Sequence, residues 1–428
     1  MAAIPPRPSS NILEIFPSEL FIHILHHLHD DKPSLKACSL VCPTWHALAP
    51  HDLFSDTTIY YNSKPTKLVE FNDFIQSTPT ISSHIRTLRL AESRSAVASE
   101  LNDKLLLSIL SALPHLDSLY ISWNSFYSLS WNPSPNTTQL PLLKKLYLWD
   151  RVRDDGAREG YPSYPLGFIS WFPYIQTVVL DYPAIPNQVH HTSSGNLPDH
   201  THIVPNVQDL HLQNPIVTPA YAHRMYSSLQ DGLSLHSLKS ISIDLRSVAD
   251  VEGLEDFLSS SNLEIERIEI DPTRSPVERL DSILVAMTQN RLHLSHLKNL
   301  RSFTFTLQYM ESASVQRMQQ DLLIDLLAEI DSPLREVHIQ IRNLPNIQVY
   351  PRFDLASSID WHRLNSVLTA LKERLLDSVT FDIVQGPYHW SGALYYWQKL
   401  VQTHLPSLYS SGFFGFACMK DNQPSFWD

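Results

Sequence analysis

The chain has 428 residues, a formal net charge of −12 and an ordinary apolar content of 43%, and that length exceeds one small core, so the chain either splits or repeats a unit. The acidic balance disfavours nonspecific nucleic-acid binding, which needs basic patches against phosphate. No apolar run reaches membrane-spanning length and the N-terminus lacks a signal-peptide core, so neither nucleic acid nor membrane is expected as a partner.

Taken in chain order, Phe16-Pro17-Ser18-Glu19-Leu20 reads as a helix start, with Pro17 early in the first turn and Glu19 near the positive end of the dipole. Leu20, Phe21, Ile24, Leu25 and Leu28 form an apolar stripe, and Asp30 to Ser34 break the helix. A second short helix carries Leu35, Cys38, Leu40 and Val41. Pro43 opens a third with Trp45, Leu48 and Ala49, followed by Leu53 and Phe54. Three short helices make a very small core, which usually needs a partner or a neighbouring domain.

The run Phe-Pro-x-Glu-Leu-Phe-x-x-Ile-Leu-x-x-Leu, followed by Leu-x-x-Cys-x-Leu-Val-Cys-x-x-Trp-x-x-Leu-Ala, resembles the F-box. Phe16 stands where that family often has Leu. The resemblance implies docking onto the Skp-type adaptor of a cullin–RING ubiquitin ligase. By carry-over, Pro17, Leu20, Ile24, Leu35, Cys38, Val41 and Trp45 would supply much of the adaptor-facing apolar surface. The module is placed at residues 12–58, with a connecting segment at 59–84.

From residue 85 the chain repeats the pattern apolar-x-x-apolar-x-apolar ten times, from Ile85-x-x-Leu88-x-Leu90 to Leu376-x-x-Val379-x-Phe381. Successive starts lie 27 to 42 residues apart, a spacing that signals a stacked array. The last two apolar positions of each copy alternate with polar ones, the periodicity of a strand with one buried face. Between copies, Leu101–Leu113, a segment from Ser314 to Ile330, and Ser358–Leu375 carry leucines at helical spacing. Pro114, Pro141, Pro173, Pro205 and Pro333 stand shortly before strands, where proline ends a helix and forces extended entry. Near the C-terminus, Ala393–Val401 reads as a helix, and Phe413-Phe414-Gly415-Phe416 as a degenerate strand that closes the array.

The six-residue pattern resembles the leucine-rich-repeat family, whose usual Asn or Cys after the strand is not consistent here. The expected fold class is α/β: an N-terminal three-helix F-box-like module, then an irregular leucine-rich-repeat solenoid over residues 85–428 with a C-terminal cap. In such a solenoid a parallel sheet lines the concave face and helices lie outside. Strand residues pointing away from the core would line that face. Tyr120, Tyr147 and Trp149 form an early aromatic group of the kind that anchors interfaces. Asp181, His211, Asp244 and Glu269 join them as candidate substrate-binding residues, and acids outnumber bases along the face. That predicts a substrate segment with apolar anchors and net positive charge. The competing reading of Asp181, Asp244, Asp271 and Asp382 is that each caps the turn after its strand.

Chemistry is not indicated. Glycine numbers only 10, and no dinucleotide, phosphate-loop or nucleophile-elbow motif exists. His23 and His27 have metal-ligand spacing but are read with His26 and His29 as a solvated face opposite Leu20, Ile24 and Leu28. His190, His191, His200 and His202 lie in the polar loop Gln188 to Pro205. Cys38, Cys42 and Cys418 make no disulfide framework or zinc set, which fits a cytoplasmic or nuclear setting. No catalytic residues, metal or cofactor are expected, and the chain is read as a non-enzyme. The leading function is the substrate-recognition subunit of an SCF-type (Skp–cullin–F-box) ubiquitin ligase, whose repeats bind a target protein that the sequence does not name. The alternative is a leucine-rich-repeat scaffold with no ligase role, its N-terminal helices merely a cap. A third reading is an enzyme with a site in loops 151–165 or 188–205.

Overall fold

The structure is a computed structural model that describes residues 17–61, 66–92, 103–122, 140–149, 168–181, 204–213, 219–259, 263–274, 277–289, 292–308, 312–342, 359–385 and 393–420. Phe16, the loop 151–165, residues 188–203 of the second loop and the four histidines of the polar loop lie outside the described residues. The chain divides into two compact units, Met1–Leu143 and Lys144–Asp428.

Unit 1 opens with α1 (Ser18–His27), α2 (Lys32–Ser39) and α3 (Pro43–Ser55). Each helix begins where local chemistry allows. Pro17 precedes α1 and Pro43 opens α3, while the Asp31 carboxylate accepts the Ser34 N–H at 3.1 Å, capping α2. The Lys32 ammonium donates to the carbonyls of Asp52 and Leu53, at 2.9 and 3.0 Å, near the end of α3. Burial pulls the Lys32 pKa down, although Asp56, Asp52 and Asp30 oppose that.

The sheet of unit 1 starts earlier than the sequence reading placed it. Residues Asp56–Tyr61 form β1, which runs on directly from α3 and pairs in parallel with β2 (Thr87–Glu92), putting Ile59 beside Leu90. The supposed connecting segment 59–84 therefore contains the end of a strand and two helices, α4 (Thr66–Ser77) and α5 (Pro79–Ser82). After α6 (Asp103–Ser111), β3 (Ser118–Ser122) pairs in parallel with β2, so that Leu88 and Leu90 stand beside Leu119 and Ile121.

Unit 2 carries the strands from β4 (Leu143–Trp149) through β5 (Tyr174–Asp181), β6 (Asn206–Gln213), β7 (Ser240–Asp244), β8 (Arg267–Asp271), β9 (Ser302–Gln308), β10 (Glu336–Arg342) and β11 (Ser378–Gln385) to β12 (Phe414–Lys420). They lie side by side in chain order, and the pairings from β5 to β12 are parallel. Helices stand between them, among them Pro219–Gly232, Val248–Leu258, Val277–Gln289, Ala313–Glu329 and Trp361–Arg374. Neighbouring parallel strands need a crossover between them, and each helix here supplies one by returning the chain to the end where its strand began.

The register explains why the six-residue pattern recurs. One row runs Val178, Leu210, Ile241, Ile268, Phe303, Val337, Val379, and the next Leu180, Leu212, Ile243, Ile270, Phe305, Ile339, Phe381. Every member of both rows is buried. Fully burying one such side chain contributes about 1.5–3 kcal/mol, and a one-residue slip would turn a whole strand's set outward. Like positions therefore stack on like positions. At the C-terminus, helix Ala393–His404 places the Trp397 ring 5.8 Å from Phe381, and Phe416 of β12 lies 5.6 Å from it.

One helix start in unit 2 carries a pH-dependent cost. Ser247 caps helix Val248–Leu258 by accepting the Asp250 N–H, and the Asp250 carboxylate accepts the Arg246 N–H and the Ser247 hydroxyl, both at 3.0 Å. Asp250 is wholly buried, and burial raises its pKa to about 6 despite those bonds. A folded-state pKa above the unfolded value favours folding below the unfolded value, near 4, and that contribution fades as pH rises through about 6. The expected result is that Asp250→Asn, which keeps an oxygen for both donors, is more stable than the parent chain at pH 7.5. The gain should be on the order of 2 kcal/mol and should vanish near pH 4. Urea midpoints of the two chains at both pH values check this.

Candidate functional site

The helical module of unit 1 has a small core. Leu25 of α1, Leu35 of α2 and Ala49 of α3 form a buried cluster, against which Leu28, Cys38, Trp45, Leu48 and Leu53 pack. Phe21 is also buried, its ring edge-on to Trp45 at 5.7 Å. On α1, positions 21, 25 and 28 therefore turn inward, as i, i+4, i+7 spacing requires.

The same helix has a second apolar stripe that its core cannot use. Leu20 and Ile24, four residues apart, are each 46% exposed, and Leu40 and Val41 between α2 and α3 are 79% and 67% exposed. Ile22 and Pro17 are exposed as well. So many large apolar groups facing water on so short a segment mark a surface built for a partner. His23, His26, His27 and His29 are exposed, as expected, but they share the outer side of the helix with Leu20 and Ile24 instead of lying opposite them.

The residues expected to face an adaptor therefore separate into two groups. Pro17, Leu20, Ile24 and Val41 are exposed, whereas Leu35 is fully buried, and Cys38 and Trp45 are half-buried against the core. Leu35 is a correction: three helices this short need one large side chain from each, and α2 supplies Leu35. Leu40, expected within the second helix, joins the exposed group. Its place just past the end of α2, outside the helical turns, leaves it exposed.

The sheet offers a second candidate surface, on the side away from the helices. In unit 1, Tyr120 is half-buried there, and the Arg89 guanidinium sits 4.5 Å over its ring while donating to both oxygens of Asp56, at 3.2 and 3.0 Å. The other six candidates belong to unit 2. Trp149, His211 and Glu269 are half-buried, but Tyr147, Asp181 and Asp244 are buried. This corrects the expectation of an exposed aromatic at Tyr147: its hydroxyl donates to Asp181 Oδ2 at 2.5 Å, so each satisfies the other. A buried carboxylate requires such a donor.

The acids after the strands answer to local needs in two further cases. Asp271 Oδ1 accepts the Thr273 N–H at 2.9 Å and the Thr273 hydroxyl, a turn cap, while its other oxygen holds Arg342 at 3.0 Å. Asp382 holds His338 Nδ1 at 3.3 Å, which raises the His338 pKa. Further back on the face, Arg267 donates to Asp209 at 2.8 Å. His211 lies in the same field, and burial lowers its pKa. Sequence reasoning missed Arg342 as a member of this face; its alternation with Glu336, His338 and Gln340 within β10 was the available signal. Among the described residues no group of three or more His, Cys, Asp or Glu side chains is placed to hold a metal ion. No described helix is long and apolar enough to cross a membrane.

Compared with known families, residues 13–58 match the F-box-like family. No curated protein matches the chain. The match begins just before α1 and ends in β1, covering the three-helix core and the exposed apolar residues together. Residues 13–58 of this chain are therefore an F-box-like domain.

Proposed function

We propose that the chain is the substrate-recognition subunit of an SCF-type ubiquitin ligase. Its F-box-like domain docks on a Skp-type adaptor, and its parallel strand array, an irregular set of leucine-rich-repeat units, recruits the target protein in the cytosol or nucleus. The observation that carries this reading is the exposure of Leu20, Ile24, Leu40 and Val41 on a domain of that family. A mere cap for the first strand unit leaves those four side chains without a purpose, since the module's core is complete without them. Docking covers them and brings a captured protein to the ligase at high local concentration, with no chemistry of the chain's own.

Co-expression with a Skp-type adaptor tests the reading. A stoichiometric complex is expected on size-exclusion chromatography, and a chain that elutes alone at micromolar concentration of both proteins overturns it.

A further inference from the structure

The row of outward positions at the middle of unit 2's sheet runs His211, Ser242, Glu269, Thr304, His338 on five adjacent strands, β6 to β10, in direct register. Glu269 stands at its centre between two short hydroxyl side chains. Neighbouring strands are about 4.8 Å apart, so each histidine is about 10 Å from the Glu269 column. Small side chains beside a larger acid leave room above it for a group from outside the chain.

The charges around it are already taken. Arg267 is committed to Asp209 at 2.8 Å, Arg342 to Asp271 at 3.0 Å, and His338 to Asp382 at 3.3 Å. Glu269 receives only uncharged donors, the Ser242 hydroxyl and Gln340 Nε2 at a long 3.4 Å, and among the described residues it has no cationic partner. Burial, with Asp271 nearby, raises its pKa, and Arg342 only partly offsets this. A half-buried carboxylate with no cation is costly to keep, whereas Asp209, Asp271 and Asp382 each have one.

We propose that Glu269 is the seat of a cationic side chain, lysine or arginine, from a protein segment laid across this face of unit 2. Ser242 and Thr304 flank the seat as hydroxyl acceptors. The proposal rests on the reading that this face receives a target, and it narrows the target to a segment presenting a basic residue. Charge complementarity identifies the occupant: the incoming cation supplies the one partner that Glu269 lacks.

Fluorescence anisotropy of the full chain with labelled hexa-arginine, hexa-lysine and hexa-citrulline peptides tests it, citrulline being the uncharged isostere of arginine. The cationic peptides are expected to bind at least fivefold more tightly than hexa-citrulline. Glu269→Gln is expected to weaken them at least fivefold without lowering the melting temperature. Asp377→Asn removes an equal charge from the exposed partner of Arg335, off this face, and is expected to change binding less than twofold. The proposal is overturned if the parent chain does not bind the cationic peptides below 1 mM, if Glu269→Gln binds as the parent does, or if Asp377→Asn loses as much, which would indicate only attraction to the net charge of −12. Adaptor binding, measured on the same preparations, separates the two questions. A chain that binds the adaptor but shows no Glu269-dependent binding sinks this inference alone, and the converse sinks the ligase reading alone.

Discussion

Leu35→Ala is expected to unfold the F-box-like domain at 37 °C and to abolish adaptor binding with it. Leu35 is fully buried at the junction of three helices and shares its cluster with only Leu25 and Ala49 as other fully enclosed members. Truncating a buried leucine costs about 2–5 kcal/mol, from lost transfer energy and the cavity left behind. A domain this small has a net stability of only about 3–5 kcal/mol, so the loss consumes most of it. Leu35→Met keeps the volume and should cost less than about 1.5 kcal/mol. Hydrogen exchange of the amides in residues 18–55 checks this locally, where a whole-chain melt would be dominated by the strand array. Protection should collapse in the alanine variant and persist in the methionine variant. Equal protection in parent and alanine chains would refute the assignment of Leu35 to the core.

The double variant Leu20→Ala, Ile24→Ala should do the opposite: fold normally and bind the adaptor roughly 50-fold more weakly. Both side chains are about half exposed, so docking has about half of each left to bury. At about 1.5–3 kcal/mol for a whole side chain, two halves sum to about 1.5–3 kcal/mol, and each 1.4 kcal/mol is tenfold in affinity. Surface truncations of this kind change stability by less than about 0.5 kcal/mol. Titration calorimetry against the adaptor, with exchange protection of α1 as the folding control, measures both halves of the claim. Trp45→Ala is a poorer probe of docking, because Trp45 packs on the core and meets Phe21 edge-on, so its loss would mix unfolding with lost contact.

The strands were legible in the sequence because their cause is local. A row such as Ile241-Ser242-Ile243 alternates at the period of a strand, and burying one face of it is enough to decide the conformation. All ten copies of the pattern carry strands. Strand β1 is not marked by the pattern because Thr57 stands beside Leu88, where the other copies carry their middle apolar residue, although Phe54 and Ile59 hold the other two positions. Its signal was the alternation of Thr57, Ile59 and Tyr61 in a β-branched and aromatic run. The F-box-like domain was legible for a different reason: its spacing of Pro17, Leu20, Ile24, Leu35 and Trp45 is dictated by three helices of set length.

What the sequence by itself determined is the type and order of the ten repeated strands and of the three N-terminal helices, and the surplus of apolar residues on and just after α1 and α2. Each of these follows from the period of a pattern within one segment. Only the tertiary structure decided which stripe of α1 turns inward. Leu20 and Ile24 have the same spacing as Phe21 and Leu25, and the choice is made by where Leu35 and Ala49 arrive from other helices. The polar face was decided in the same way. Tyr147 meets Asp181 across 34 residues, Arg267 meets Asp209 across 58, and Gln340 meets Glu269 across 71. Strand register alone brings such pairs together, and register is a property of the stacked sheet, not of any one segment.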